Sequence, residues 1–257
     1  MTFQQQLTAL NTIARKEIQR FLRIWTQTLI PPVITQTLYF VVFGSFIGSQ
    51  LSEVHGVSYM QFIVPGLVMM AIITSSYMNV VSSFFIMKFA RNIEELQVSP
   101  TPSWVIVAGF VAGGVARGLL TGAIVFGVSL FFTRPHINHL WIIVLFAVLT
   151  AIVFSLGGLL NAIFAKKFDD TSIFTTFILT PLTYLGGVFY AIDKLPGIWK
   201  TLSHANPLVY MIDGFRFGFY NFSTVSVWIS ATILVVFALV LVYLNLYLLK
   251  KGTGMRS

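Results

Sequence analysis

Cysteine is absent from the 257 residues, so neither a disulfide nor a thiolate metal site can form. Charge is almost as scarce. Asp, Glu, Lys and Arg make up 9% of the chain, against roughly 25% in a soluble domain. A chain this poor in charge cannot clothe a water-facing surface, so it reads as an integral membrane protein. Acids are the rarer sign, 8 against 16 Lys and Arg. None falls clearly inside a long apolar segment, where acids that couple protons or sodium to transport are expected. Catalytic motifs are missing too. Without GxxxxGK[ST] there is no P-loop, and the chain is not expected to hydrolyse ATP itself. There is no HExxH and no GxSxG, and the 4 histidines are scattered. We therefore expect no catalytic residue, no metal and no cofactor in this chain.

What is present is apolar and aromatic. Mean hydropathy is +0.85, and the 25 Phe residues suit lipid-facing helices. The net charge of +8 is read as Lys and Arg gathered at cytoplasmic helix ends, not as a nucleic-acid surface. The first apolar run follows Arg15, Lys16, Arg20 and Arg23 and is too long for the core of a signal peptide.

Residues 4–25 read as an amphipathic interfacial helix. Leu7, Leu10, Ala14, Ile18, Phe21 and Trp25 recur at helical spacing, and Arg15, Lys16, Gln19, Arg20 and Arg23 take the other face. Such a helix suits the anionic headgroup plane; the alternative is that it merely begins the first span. A span needs about 20 residues. Six fit, roughly at 27–48, 59–84, 104–132, 140–165, 171–192 and 227–249. Pro31 and Pro32 sit in the first turn of the first, where proline is tolerated. A short polar loop is expected at 49–58. In the third span Gly114, Gly118 and Gly122 repeat every fourth residue, spacing that lets another helix approach closely. Residues 193–226 are too polar to span and too apolar for an ordinary loop; a re-entrant or external helical hairpin is expected there.

Six spans put both termini on one side. Arg15, Lys16, Arg20, Arg23, Lys88, Arg91, Lys166, Lys167, Lys250, Lys251 and Arg256 then share that side, against Arg134, Lys194, Lys200 and Arg216 opposite. Both termini are therefore expected in the cytoplasm. The two three-span halves show no convincing repeat. We treat 1–257 as a single transmembrane domain of all-α class.

Four places invite a functional reading. The first is FIMKFARNIEELQVSPTP, 85–102, between the second and third spans. As one helix it would align Phe85, Ile86, Phe89, Ile93 and Leu96 on one face and Lys88, Arg91, Glu94 and Glu95 on the other, until Pro100 and Pro102 stop it. Arg91, Asn92, Glu94 and Glu95 mix both signs of charge, which favours a protein partner over anionic lipid; an ordinary interfacial loop helix is the alternative. The second is Arg117, inside the third span. A mid-bilayer Arg costs roughly 2.5–3.5 kcal/mol. It either lines a translocation path or dimer interface, or it snorkels, or it pairs with Asn161 or a backbone carbonyl. The third is NPLVYMIDGFR, 206–216. Asn206 and Pro207 would open a helix, and Asp213 and Arg216, three apart, would pair on one face. The segment is either functional or a structural cap on the outer side. The last is the turn KKFDD at 166–170, a solvated turn or a second partner contact.

RNIEELQVSPTP, between the second and third spans, resembles the cytoplasmic coupling helix of the type-2 ABC exporter permeases. NPLVYMIDGFRFGFYN, before the last span, resembles their C-terminal signature. The resemblance runs over the whole chain, and YMQFIVPGL, KFARNIEEL, GGVARGLL, FDDTSIF and TPLTYLGGVFY look like the bacterial YadH-type subfamily of inner-membrane permeases. The resemblance implies a half-transporter: two copies of the permease pair, and two separate ABC ATPase subunits, which bind ATP and Mg, dock beneath. It implies that Arg91, Asn92, Glu94 and Glu95 contact the ATPase, and that Asn206, Pro207, Tyr210, Asp213 and Arg216 belong to an external gate. It names no substrate; the aromatic content suits an amphipathic one. The other reading, an ion-coupled secondary transporter or a channel acting without an ATPase, would want acids inside the spans.

Overall fold

Apolar runs of this length can satisfy their backbone inside a bilayer only as helices or closed barrels, and this chain forms helices. The structure, a computed structural model, describes residues 1–48 and 53–252. Arg256, the 49–52 part of the expected polar loop, and the side chains of Glu94, Leu96 and Lys194 lie outside what is described.

The chain opens with α1 (Phe3–Arg23), α2 (Trp25–Thr28) and α3 (Ile30–Tyr39), the last running into a π-helical stretch, Phe40–Ile47. Four long helices carry the fold: α4 (Tyr59–Phe89), α6 (Ser103–Ser129), α7 (Leu140–Phe164) and α12 (Val227–Lys251). Among the described residues these four are long and apolar enough to cross a membrane. The short α5 (Asn92–Val98) links α4 to α6. After α7 come α8 (Phe168–Phe174), a π-helical turn (Thr175–Leu179), α9 (Thr180–Tyr184), α10 (Gly197–His204) and α11 (Pro207–Tyr220).

The expected 59–84, 104–132, 140–165 and 227–249 spans match these long helices to within a few residues. The 27–48 and 171–192 segments are helical in pieces instead. Pro31 and Pro32 lie in the first turn of α3, as expected, and because they lack an N–H they end α2 rather than continue it.

The central element is α4. In its most apolar window 89% of the residues are buried inside the protein, against 17% for α12. So α4 is the core helix, packed by α6 and α7, while α12 turns most of its surface outward. The glycine spacing in α6 explains how closely α4 lies. A Cβ at Gly118 would run into the Ser76 hydroxyl and sit 3.2 Å from the carbonyl oxygen of Ile72; one at Gly122 would sit 2.6 Å from the Ile72 side chain. At Gly118 and Gly122 the expected helix-approach stripe is therefore the α4–α6 seam, while Gly114 faces both Val80 of α4 and Ser155 of α7.

Candidate functional site

The 85–102 stretch is not one helix. The α4 helix runs on to Phe89 and closes when Ala90 N–H donates to Ile86 O (2.9 Å) and Arg91 N–H to Lys88 O (3.0 Å). Arg91 then takes a left-handed conformation, φ 59°, the position after a helix that glycine usually fills. A non-glycine residue there costs about 1–3 kcal/mol. The chain restarts as α5, so the single amphipathic face expected from the sequence is broken at Arg91. Ile93 and Phe85 are buried, whereas Ile86 (51%), Phe89 (66%) and Val98 (88%) are exposed. Arg91, Asn92 and Glu95 are exposed as well.

Lys88, expected on the polar face, turns inward. Its Nζ donates to the carbonyls of Ile163 and Ala165, both at 2.7 Å. These lie at the end of α7, where carbonyls lack intrahelical donors. Beside it, Phe168 of the 166–170 turn packs edge-on to Phe85 (4.9 Å between ring centres) and against Phe89 (5.0 Å). The KKFDD turn is thus seated on the end of α4. Asp170 accepts from the backbone N–H groups of Lys166 (2.8 Å) and Lys167 (2.9 Å), which hold its carboxyl below the usual carboxylate range.

The sequence pattern missed Glu17. It lies on α1 among outward-facing cations, yet it is 1% exposed. Its carboxylate accepts from Ser83 Oγ of α4 (2.8 Å) and from Arg20 Nε (3.3 Å). Arg20 Nη2 reaches across to Asn79 of α4, donating to its carbonyl (2.9 Å) and to Oδ1 (3.0 Å). Small residues on α6 make the room: a Cβ on Gly109 would meet Ile13 at 2.5 Å, and one on Gly113 would collide with the Glu17 Cβ. Gly109 and Gly113, one turn apart, were the available signal. Of the expected apolar face, Phe21 is buried and Trp25 is 53% exposed.

Arg117 is 8% exposed. Its Nη2 donates to the carbonyl of Thr28 at 2.9 Å. Pro32, four residues on, has no N–H to give that carbonyl, so Arg117 replaces the missing helix bond. Of the alternatives open from the sequence, the backbone carbonyl is the partner; Asn161 bonds the hydroxyl of Tyr77 instead. Pro65 inside α4 leaves the Gln61 carbonyl in the same position, and Tyr220 Oη fills it at 2.7 Å.

Asn206 and Pro207 open α11 as expected, with Asn206 Oδ1 accepting from Leu208 N–H at 3.0 Å. The expected Asp213–Arg216 pair does not form: among the described residues the close ion contacts are Arg20–Glu17 and His55–Asp193. Each buried charge goes to backbone. Asp213 accepts from the N–H groups of Thr224 (2.8 Å) and Val225 (3.0 Å). Arg216 donates to Gly187 O (2.7 Å) and lies 4.0 Å over the Phe62 ring. Tyr210 Oη donates to His204 O (2.8 Å) and ties α11 to α10. Asn206, Asp213 and Arg216 are all buried, so this segment locks the ends of α4, α7 and α12 together.

Three polar junctions therefore surround α4: the α1 clasp, the Lys88 cap and the α11 lock. Comparison with known proteins places them in context. The model of the family described as "ABC-2 type transporter" matches residues 8–220. The chain is 58% identical over 250 residues to "Inner membrane transport permease YadH" of Escherichia coli (strain K12), covering 97% of each chain. It is 25% identical over 221 residues to "Nodulation protein J" of Rhizobium meliloti (strain 1021), covering 83% of this chain and 82% of that one.

Proposed function

The chain belongs to the ABC-2 type transporter family, and we propose that it is the membrane-spanning permease subunit of an ATP-driven exporter. A separate ABC ATPase hydrolyses the nucleotide, and the permease moves an amphipathic substrate across a bacterial inner membrane. In this reading 1–257 is one permease domain with six spans, the first formed by α2, α3 and the following π-helical stretch, the fifth by α8 to α9. Both termini and α5 face the cytoplasm. Two permease copies pair, and two ATPase subunits dock beneath them.

The observation that carries this reading is the break at Arg91. It presents α5 between two membrane-length helices, with exposed Arg91, Asn92 and Glu95 beside exposed Val98. The element joins directly to α4, the most buried helix, so a push on α5 reaches the core. Arg117 we assign to holding the junction of α2 and α3 on α6, and α11 to closing the outer end. An ion-coupled transporter acting alone would need a carboxylate free to change partners. Glu17 and Asp213 are buried but already engaged.

The test is a pull-down of the ABC ATPase subunit on the purified permease. Charge reversal at Glu94 and Glu95, made together as Lys, abolishes retention of the ATPase on the purified permease. Unchanged retention would remove these residues from the contact, and ATP hydrolysis by the permease chain alone at transporter rates would remove the division of labour.

A further inference from the structure

Opposite its clasped face, α1 carries a groove of about 640 Å³ lined by Asn11, Arg15, Lys16, Gln19, Arg20 and Arg23, with Thr12 and Ile24 at its edges. Four of these are cations and none is an acid. Arg15 and Arg23 are exposed and, among the described residues, make no hydrogen bond or ion pair to the protein, while the contact Lys16 makes is with the Met87 sulfur, at 4.0 Å. With Arg20 paired to Glu17, the other three cations repel one another, and an anion between them reverses the sign. At the same end of the helix Leu22 (44%), Ile24 (39%) and Trp25 (53%) stand exposed. Cations beside exposed apolar and aromatic side chains match a molecule that is anionic at its head and apolar behind.

The groove also has a mechanical outlet. Arg20 lines it, yet its Nε and Nη2 bind Glu17 and Asn79, and Glu17 binds Ser83. Asn79 and Ser83 lie on α4 about 15 and 9 Å before its end at Phe89, at 1.5 Å per residue. One arginine thus belongs both to the charged groove and to the buried clasp on the helix that leads into α5.

We propose that the outer face of α1 binds the phosphate headgroup of an anionic membrane lipid, and that the Glu17–Arg20 clasp carries this occupancy to α4 and α5, so that the transporter responds to lipid charge. The second half rests on the permease reading above; the first does not.

The experiment uses the full chain in nanodiscs of phosphatidylcholine with increasing phosphatidylglycerol, alone and with its ATPase. Bound phosphatidylglycerol is counted by native mass spectrometry. Removing two cations, as R15Q/R23Q, lowers its affinity roughly twenty-five-fold, about fivefold for each charge, and R15K/R23K restores it. Wild-type binding weakens as salt rises, and millimolar inorganic phosphate does not displace the lipid. The ratio of ATP hydrolysis in anionic discs to that in neutral discs exceeds one for the wild type and falls to one in R15Q/R23Q. It also falls to one in E17Q, which still binds phosphatidylglycerol. Salt-insensitive wild-type binding, or R15Q/R23Q binding like the wild type, overturns the lipid site. Displacement by inorganic phosphate overturns the headgroup assignment. An E17Q chain that keeps the wild-type ratio overturns the clasp. If no ATPase associates, the permease reading fails while the binding arm still decides the lipid site.

Discussion

Replacing Lys88 by Met tests how the core helix is joined to the rest of the cytoplasmic end proposed above. The change keeps the length and apolar stem of the side chain and removes only the ammonium. That group donates to two carbonyls at 2.7 Å, on Ile163 and Ala165, at the negative end of α7. Hydrogen bonds to charged groups contribute about 1.5–3 kcal/mol each. Two of them would set an upper value near twice that, but Lys88 is only half-buried. Water can reach the freed carbonyls, and the exposed part of the interaction is screened. We therefore expect a net loss of about 2 kcal/mol. The assay is reversible unfolding by SDS in mixed micelles, followed by tryptophan fluorescence. Leu239→Met on the exposed face of α12 serves as control and changes stability by less than about 0.5 kcal/mol. Because Phe168 packs on the same helix end, K88M and Phe168→Ala are non-additive by about 0.5 kcal/mol or more. A K88M chain within about 0.5 kcal/mol of wild type would refute the reasoning, since the two short bonds would then contribute nothing.

Gly118→Leu forces a side chain into Ser76 and the Ile72 carbonyl; overpacking of this kind costs about 1–3 kcal/mol, read as loss of the monodisperse peak in detergent gel filtration. Asp213→Ala frees the Thr224 and Val225 N–H groups and costs about 2 kcal/mol; it stays destabilising in an Arg216→Gln background, whereas a direct ion pair would make the second change nearly silent. Asp170 has a lowered carboxyl pKa in the folded chain, so its contribution is present above the ordinary value of about 4 and is lost as pH falls through the folded value. At neutral pH Asp170→Asn copies the acid state, and trypsin cleaves faster after Lys166 and Lys167; an unchanged cleavage rate removes the cap from the account. The charge reversal at Glu94 and Glu95 completes the set.

The long helices were legible because their signal is local. Runs such as 140–164 and 227–251 contain enough apolar residues in sequence to dictate a helix without reference to anything else. Asn206 and Pro207 were legible for the same reason, as a cap and a first-turn proline. The 85–102 stretch was half legible. Its composition marked it as an exposed element, but periodicity treats every residue as helical and cannot register a left-handed Arg91 that splits the pattern. The Asp213–Arg216 spacing allowed a pair. Two backbone N–H groups near 224 and a carbonyl at Gly187 were better placed, and nothing local announces them.

Proline accounts for two of the distant donors. Each proline inside an apolar helix frees the carbonyl four residues earlier, and in a bilayer a freed carbonyl needs a donor. Pro32 and Pro65 therefore called for donors near Thr28 and Gln61; Arg117 and Tyr220 answer them from 89 and 159 residues away. An arginine within a span is thus not by itself the sign of a substrate path, because here its burial is offset by a backbone debt elsewhere in the chain. The same reasoning raises the standing of Glu17. It repairs no helix; it is buried with a ring of cations on the far side of its own helix and binds the one helix that continues into α5. Among the charges the fold draws inward, Glu17 joins the surface helix α1 to the core helix, so under the clasp proposed above α1 is tied to α4 and is not an anchor beside it.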